Sequence, residues 1–404
     1  MPQRKQESTI RPPRTGYGHV ARIAVQETTL RVKEMHSVIA DKSFNILRRV
    51  PLVSGPARLV QTAHDAISAA VYAAIRHSSG GLFAAAAMVE KQHTGGSLSK
   101  PPGRLASGLR SALNGAFGDH LAAHNNLLAI DMAIHVHGAP LPLDAGSLRS
   151  AFPDAGTGLC IFVHGLGCDE HCWETSRNAP DSEIHFCHQL HNDFAYTPLC
   201  LRYNSGLPIA ENCAQLADLL EELLANWPQP ASKLLLVGHS MGGLIALGAC
   251  DQATAAGMQW PQATRMLICL GSPHLGSPLE RLGHWTNSAL NLSKVTFPLG
   301  KIAAARSQGV KDLRHGPGAP HATRHPHTIA FRFLGASLAE DVEHPISEFL
   351  GDGLVPLSSA IAHAIEGDVQ CAKLGKLGHM ALLNDARVYR QIRNWIAALD
   401  DAAA

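Results

Sequence analysis

Through the first 150 residues the apolar positions recur at three- and four-residue steps. In "ARLVQTAHDAISAAVYAAIRH" Leu59, Val60, Ala63, Ile67, Ala70, Val71, Ala74 and Ile75 form one stripe, the spacing of an amphipathic helix. "LFAAAAMVEK" and "LASGLRSALNGAFGDHLAAH" extend it, separated by "TGGSLSKPPGR", whose glycines and prolines interrupt any helix. Pro, Gly and Asp then accumulate between Gly138 and Gly158. That stretch predicts a boundary between a helical region over 1–150, its first ~20 residues disordered, and a second domain over 151–404.

Beyond the boundary the period changes. Short runs that are apolar throughout, "LCIFVHG", "TPLCLRYN", "KLLLVG", "RMLICLGSP" and "TIAFRFLGAS", alternate with amphipathic stretches. In "ENCAQLADLLEELLANW" the side chains of Leu216, Leu219, Leu220, Leu223, Leu224 and Trp227 share one helical face. Strands without a polar face, separated by helices, predict an α/β fold: a doubly wound, mostly parallel sheet covered on both sides. Ligands of such sheets bind at the carboxyl ends of the strands.

One strand-to-helix junction carries chemistry. "KLLLVGHSMGGLIALGAC" sets Ser240 between Gly238 and Gly242 on the bend. The strand is expected to end at Val237 and the helix to start near Gly243. A bend that tight strains the serine backbone, exposes its hydroxyl at the sheet edge, and leaves room for strand and helix only if glycine flanks it. The following amide, Met241 N–H, falls at a helix start, where free donors and the helix dipole favour negative charge.

With this bend, "VHGLG" at 163–167, "GSPHLGSP" at 271–278, "GDGLVP" at 351–356 and "GHMALL" at 378–383, the sequence resembles the α/β-hydrolase family, within it the lipases and esterases. The resemblance covers about residues 155 to 400. It implies that His164 and Gly165 open an oxyanion-hole loop, with Leu166 N–H as the second donor beside Met241 N–H. It also implies an acid and then a base following the serine, and a loop type that accompanies lipases acting on medium to long acyl chains.

Asp352 and His379 match the family's acid and base positions. A serine hydroxyl needs a base to take its proton, and the base needs a carboxylate to fix its tautomer. Asp352 stands in a Gly-Asp-Gly turn; His379 lies 27 residues further on, directly ahead of the helix expected over "ALLNDARVYRQIRNWIAAL". Among the 24 histidines, His363 falls in a helical stretch, and His239 should point opposite to Ser240. His274 precedes the acid and is assigned to the pocket lining. The resulting reaction is ester cleavage through an acyl-enzyme, on a small acyl ester or lipid, and it requires no metal or cofactor. An acyltransferase or amidase would use the same three residues, and a non-catalytic scaffold binding a partner is the reading outside enzymes.

Composition narrows the partners. A net charge of +1 and pI ≈ 7.7 leave no broad basic field for nucleic acid. Residues 1–50 alone are basic, with 10 Lys or Arg against 4 Asp or Glu. That stretch is read as a solvated or disordered arm or as one attracted to anionic lipid, and the amino-terminal helices as cover for the site, dimer contact or membrane dock, with the oligomeric state open. No signal-peptide pattern or bilayer-length apolar run is visible, and nine scattered cysteines suit a reducing compartment. The expected location is cytoplasmic or peripherally membrane-attached.

No metal is expected. Cys168, His171 and Cys172, or His185, His188 and His191 on one helix face, lack recognised zinc-site spacing, and "RHGPGAPHATRHPH" reads as a mobile loop. The insertion over about 277–327, with Leu282, Trp285 and Phe297 among its apolar residues, is read as a cap or lid, or as a buttress of the core.

Overall fold

The structure, a computed structural model, describes residues 61, 104–174, 183–277, 307–315, 329–361 and 367–402. The helices expected before residue 100, most of the apolar insertion, His363 and most of the histidine-rich loop lie outside the described residues. The chain divides into two compact units, one of residues 1–100 with 121–128 and one of 101–120 with 129–404.

The described strands are β1 (Ala133–Val136), β2 (Ala139–Pro140), β3 (Gly158–Val163), β4 (Thr197–Arg202), β5 (Lys233–His239), β6 (Thr264–Leu270), β7 (Ala330–Ala336) and β8 (Val369–Leu374). The helices are α1 (Arg104–Ala123), α2 (Ala145–Ala151), α3 (Phe186–Phe194), α4 (Ile209–Asn226), α5 (Met241–Ala256), α6 (Trp260–Ala263), α7 (Gln308–His315), α8 (Pro345–Leu350), α9 (Leu357–Ile361) and α10 (Ala386–Asp401).

The strands join in one sheet, ordered β2-β1-β4-β3-β5-β6-β7-β8. From β4 to β8 every pairing is parallel, and β1 pairs antiparallel with both β2 and β4. The alternation of side chains along a strand explains why the central ones are apolar throughout. On β3, Leu159, Ile161 and Val163 enter the layer with α4 and α5, whereas Cys160 and Phe162 enter the layer with α3 and α10. β5 divides likewise, Leu234 and Leu236 to one side and Leu235 and Val237 to the other.

The covering helices follow their sequence stripes. On α4, Leu216, Leu219, Leu220 and Leu223 are buried, with Leu224 half-buried and Trp227 buried just past the helix end. The final helix starts later than its sequence suggests. His379 opens a short 3-10 turn through Leu383, and α10 begins only where Asp385 caps it by accepting from Arg387 N. Among the described residues no helix is long and apolar enough to cross a membrane.

Candidate active site

β5 ends at His239 and α5 begins at Met241, so Ser240 alone makes the bend, at φ 54° and ψ −123°. Strand and helix both run closer to the serine than the sequence pattern suggests. The reason is packing that leaves no slack. A Cβ on Gly238 would fall 2.4 Å from the Gly243 backbone, and one on Gly242 would fall 2.2 Å from Val163 O. A non-glycine residue in this backbone region carries strain on the order of 1–3 kcal/mol. Ser240 is held there by its N–H donating to Leu270 O at 2.9 Å and its carbonyl accepting from Gly243 N at 3.1 Å.

The loop after β3 lies against the serine. A Cβ on Gly165 would stand 3.1 Å from Ser240 Cβ, so glycine permits the close approach. Tyr203, at the end of β4, grips this loop: its ring stacks on His164 with centroids 4.3 Å apart, and its hydroxyl donates to His164 O at 2.7 Å. One residue past Leu166, Gly167 N donates to Ser205 Oγ at 2.9 Å. Burial drives the His164 imidazole down to about 4, so the ring is neutral at neutral pH. Leu166 is buried in this loop, and Met241 is the first residue of α5, where N–H groups have no intrahelical acceptor.

Asp352 and His379 meet directly. His379 Nδ1 donates to Asp352 Oδ2 at 2.6 Å, and its backbone N–H donates to Asp352 O at 3.0 Å. The other carboxylate oxygen, Oδ1, accepts from Leu354 N at 3.0 Å and Val355 N at 2.8 Å. Asp352 thus acts both as a turn former and as the imidazole's partner, and both side chains are buried. Gly271, after β6, abuts the pair: a Cβ there would lie 3.0 Å from Asp352 Oδ2 and 3.4 Å from His379 Cε1.

His239 has more to do than the sequence suggests. Its buried Nε2 donates to His379 O at 3.0 Å, and the two rings are 4.6 Å apart. Burial, then the neighbouring His379, push its imidazole far below the ordinary range, which keeps it a neutral donor. Among the described residues the direct hydrogen bond within the trio is that of His379 to Asp352, and Ser240 is tied to them through its chain neighbour. His274 packs edge-on against Phe333 at 5.0 Å. Cys269, near the bend, is no rival nucleophile, since burial pushes its thiol up to about 12.

The two histidine and cysteine sets weighed for metal are arranged differently from their sequence spacing. His185 is not on the face of α3 but is its N-cap, accepting from His188 N, while His191 bonds Tyr196 O. The donors that gather within 4.8 Å of one another are Asp169, Glu170 and His171. Sequence reasoning missed Glu170, along with Tyr203, Ser205 and Gly271. Only Gly271 carried a local signal, a glycine opening "GSPHLGSP" directly after a strand.

A family model described as the alpha/beta hydrolase family matches residues 160–395. No curated protein matches the chain. Among solved structures the chain is similar to a lipase from Bacillus licheniformis, at 19% identity over 61% of this chain and 93% of that one, with a TM-score of 0.42. A thioesterase from the prodiginine pathway of Streptomyces coelicolor is 15% identical over 60% and 91%, at 0.39. An esterase from Thermogutta terrifontis is 16% identical over 61% and 92%, at 0.35.

Proposed function

Because the chain belongs to the alpha/beta hydrolase family, we propose that it is a serine hydrolase of carboxylic esters, with Ser240 as nucleophile, His379 as base and Asp352 as its orienting acid. The observation that carries this reading is the buried 2.6 Å hydrogen bond from His379 to Asp352, tethered through His239 to a serine strained at a helix start.

Asp352 fixes the proton on Nδ1, which leaves Nε2 of His379 as the lone pair that takes the Ser240 proton. The oxygen attacks the ester carbonyl, and the tetrahedral oxyanion is held by Met241 N–H and Leu166 N–H; one such donor is worth about 3–4 kcal/mol. His379 then gives the proton to the leaving alcohol, and the acyl group stays on Ser240 until water, deprotonated by the same imidazole, releases it. The substrate is a small acyl ester or lipid of medium to long chain, the chain length resting on the loop type at 163–167.

A fluorophosphonate probe tests the nucleophile: the chain is expected to label at Ser240, and Ser240→Ala to remain unlabelled. Labelling that persists in Ser240→Ala overturns the assignment. p-Nitrophenyl esters of rising chain length test the substrate class, and a sharp preference for acetate refutes the long-chain reading.

A further inference from the structure

One side of α1 is built from hydroxyls and glycine. Ser107, Ser111 and Gly115 recur at four-residue steps along it, which places them on one helical face, and both serines are buried. The helix precedes the segment that the family model matches, yet this face lies against the loop after β3.

That loop is a turn. Gly165 O accepts from Cys168 N at 3.3 Å, and Gly167 takes φ 69°, the left-handed value that favours glycine at a turn's third residue. The bond that closes a turn leaves its two central N–H groups, here those of Leu166 and Gly167, to other partners. The Gly167 N–H goes to Ser205 Oγ at 2.9 Å. This bond fixes the orientation of the turn, and with it that of the Leu166 N–H.

α1 bears on the turn and on both of its supports. A Cβ on Gly115 would fall 2.9 Å from Cα and N of Gly167 and 3.4 Å from Ser205 Oγ, so the helix backbone rests on the turn with no side chain between. Earlier on the same face, Ser107 Oγ donates to Asp169 Oδ2 at 2.7 Å and Ser111 Oγ lies 3.5 Å from that oxygen. Asp169 also accepts from His171 N at 3.1 Å, capping the 3-10 turn that ends the loop. Beside Ser205, Asn204 Nδ2 donates to Gly118 O at 2.9 Å, and a Cβ on Gly206 would fall 2.1 Å from Asn114 O. Ser307 Oγ donates to Gly115 O at 2.8 Å and so braces the helix at the same residue. Contacts this close leave no slack, so a shift of α1 must move Gly167 or open a void beside it.

We propose that α1 is a clamp on the oxyanion loop, in which Gly115 and Ser205 are positioning residues that hold Gly167 and thereby aim the Leu166 N–H. The proposal rests on the reading of Ser240 as nucleophile and of Leu166 N–H as an oxyanion donor. It gives the amino-terminal helix a part in the chemistry without any contact with substrate.

The test uses the full chain, with rates normalised to the Ser240 sites that a fluorophosphonate titrates. Beside them is measured the inhibition constant of a trifluoromethyl ketone, whose hemiketal oxygen occupies the oxyanion position. Gly115→Ala and Ser205→Ala are each expected to lower kcat about 10- to 100-fold with KM changed less than about threefold, and to weaken the ketone in proportion. The pH profile of kcat/KM keeps its native midpoint, because the Asp352–His379 pair is untouched. Gly108→Ala, on the same helix with nothing within 4 Å of the new methyl, keeps native kcat and ketone affinity. Circular dichroism and melting identify misfolding, and Ser205→Ala, which only deletes an oxygen, carries the test where Gly115→Ala does not fold. Folded variants that melt lower but keep native kcat per titrated site and native ketone affinity overturn the clamp. A native chain that the fluorophosphonate does not label at Ser240 overturns the reading beneath it, and the clamp as well.

Discussion

Asp352→Asn is the sharpest perturbation of the proposed machinery, because the structure dictates how the new amide must sit. Asp352 Oδ1 accepts from two backbone N–H groups, Leu354 at 3.0 Å and Val355 at 2.8 Å. Turning the amide nitrogen towards them would strand two buried donors, at about 1–3 kcal/mol each. The amide oxygen therefore keeps that place, and Nδ2 faces His379 Nδ1 across the present 2.6 Å contact. An amide nitrogen can only donate, so His379 must accept at Nδ1 and carry its proton on Nε2. The base is then in the wrong tautomer and cannot take the serine proton. A tautomer error of this kind costs roughly 10⁴ in kcat, or about 5 kcal/mol of transition-state stabilisation. Because the two N–H groups stay paired, stability should change by less than about 1 kcal/mol. Ester hydrolysis by purified Asp352→Asn, read beside its urea melt, checks both halves. A variant that melts normally and keeps more than a tenth of the native kcat/KM refutes the role given to Asp352.

Gly242→Ala sets a methyl 2.2 Å from Val163 O and 2.5 Å from His164 O; both are backbone atoms, so urea unfolding should register a loss of about 1–3 kcal/mol or more, together with lost ester hydrolysis. Gly257→Ala is its control, since nothing lies within 4 Å of the new methyl there and only the left-handed backbone strain of about 1–2 kcal/mol applies. Tyr203→Phe removes the donor to the buried His164 carbonyl and should cost about 1–3 kcal/mol in denaturant, while lowering kcat more than it raises KM as the loop loosens. Folded His164 resists protonation down to about 4, whereas the unfolded ring takes its proton near 6.5. Acid thus favours the unfolded chain, and about 3 kcal/mol of stability, present above pH 6.5, should be lost progressively by pH 4; denaturant melts across that window check it, with a shallower loss in His164→Gln, where the buried His239 still contributes.

The central sheet was legible because burial on both faces removes the polar half of the pattern. β3, β5, β6 and β7 are buried along nearly their whole length, which is why their runs carry no polar face. β8 escaped the same scan: "VQCAKL" is an edge strand of the described sheet with no buried residue, and its mixed polarity is what an edge requires. The hairpin of β1 and β2 escaped for the same reason, lying at the other edge in a stretch rich in turn formers. Around Ser240 the glycines were readable because a backbone clash is a local matter. The Tyr203 clasp on His164, the His239 bond to His379 and the Arg202 clasp on Glu170 were not, since each joins side chains whose proximity only the closed sheet creates.

The bond from His239 to the carbonyl of His379 spans 140 positions along the chain, and this has a bearing on biosynthesis. The ribosome delivers the strained hydroxyl long before the imidazole proposed to arm it. On the proposed assignment, a nascent chain in which β8 and α10 have not yet docked should carry an unreactive Ser240. In the proposed machinery labelling thus waits until residues 352–401 have emerged, and acquisition of fluorophosphonate labelling by a stalled, progressively lengthened chain would time that moment.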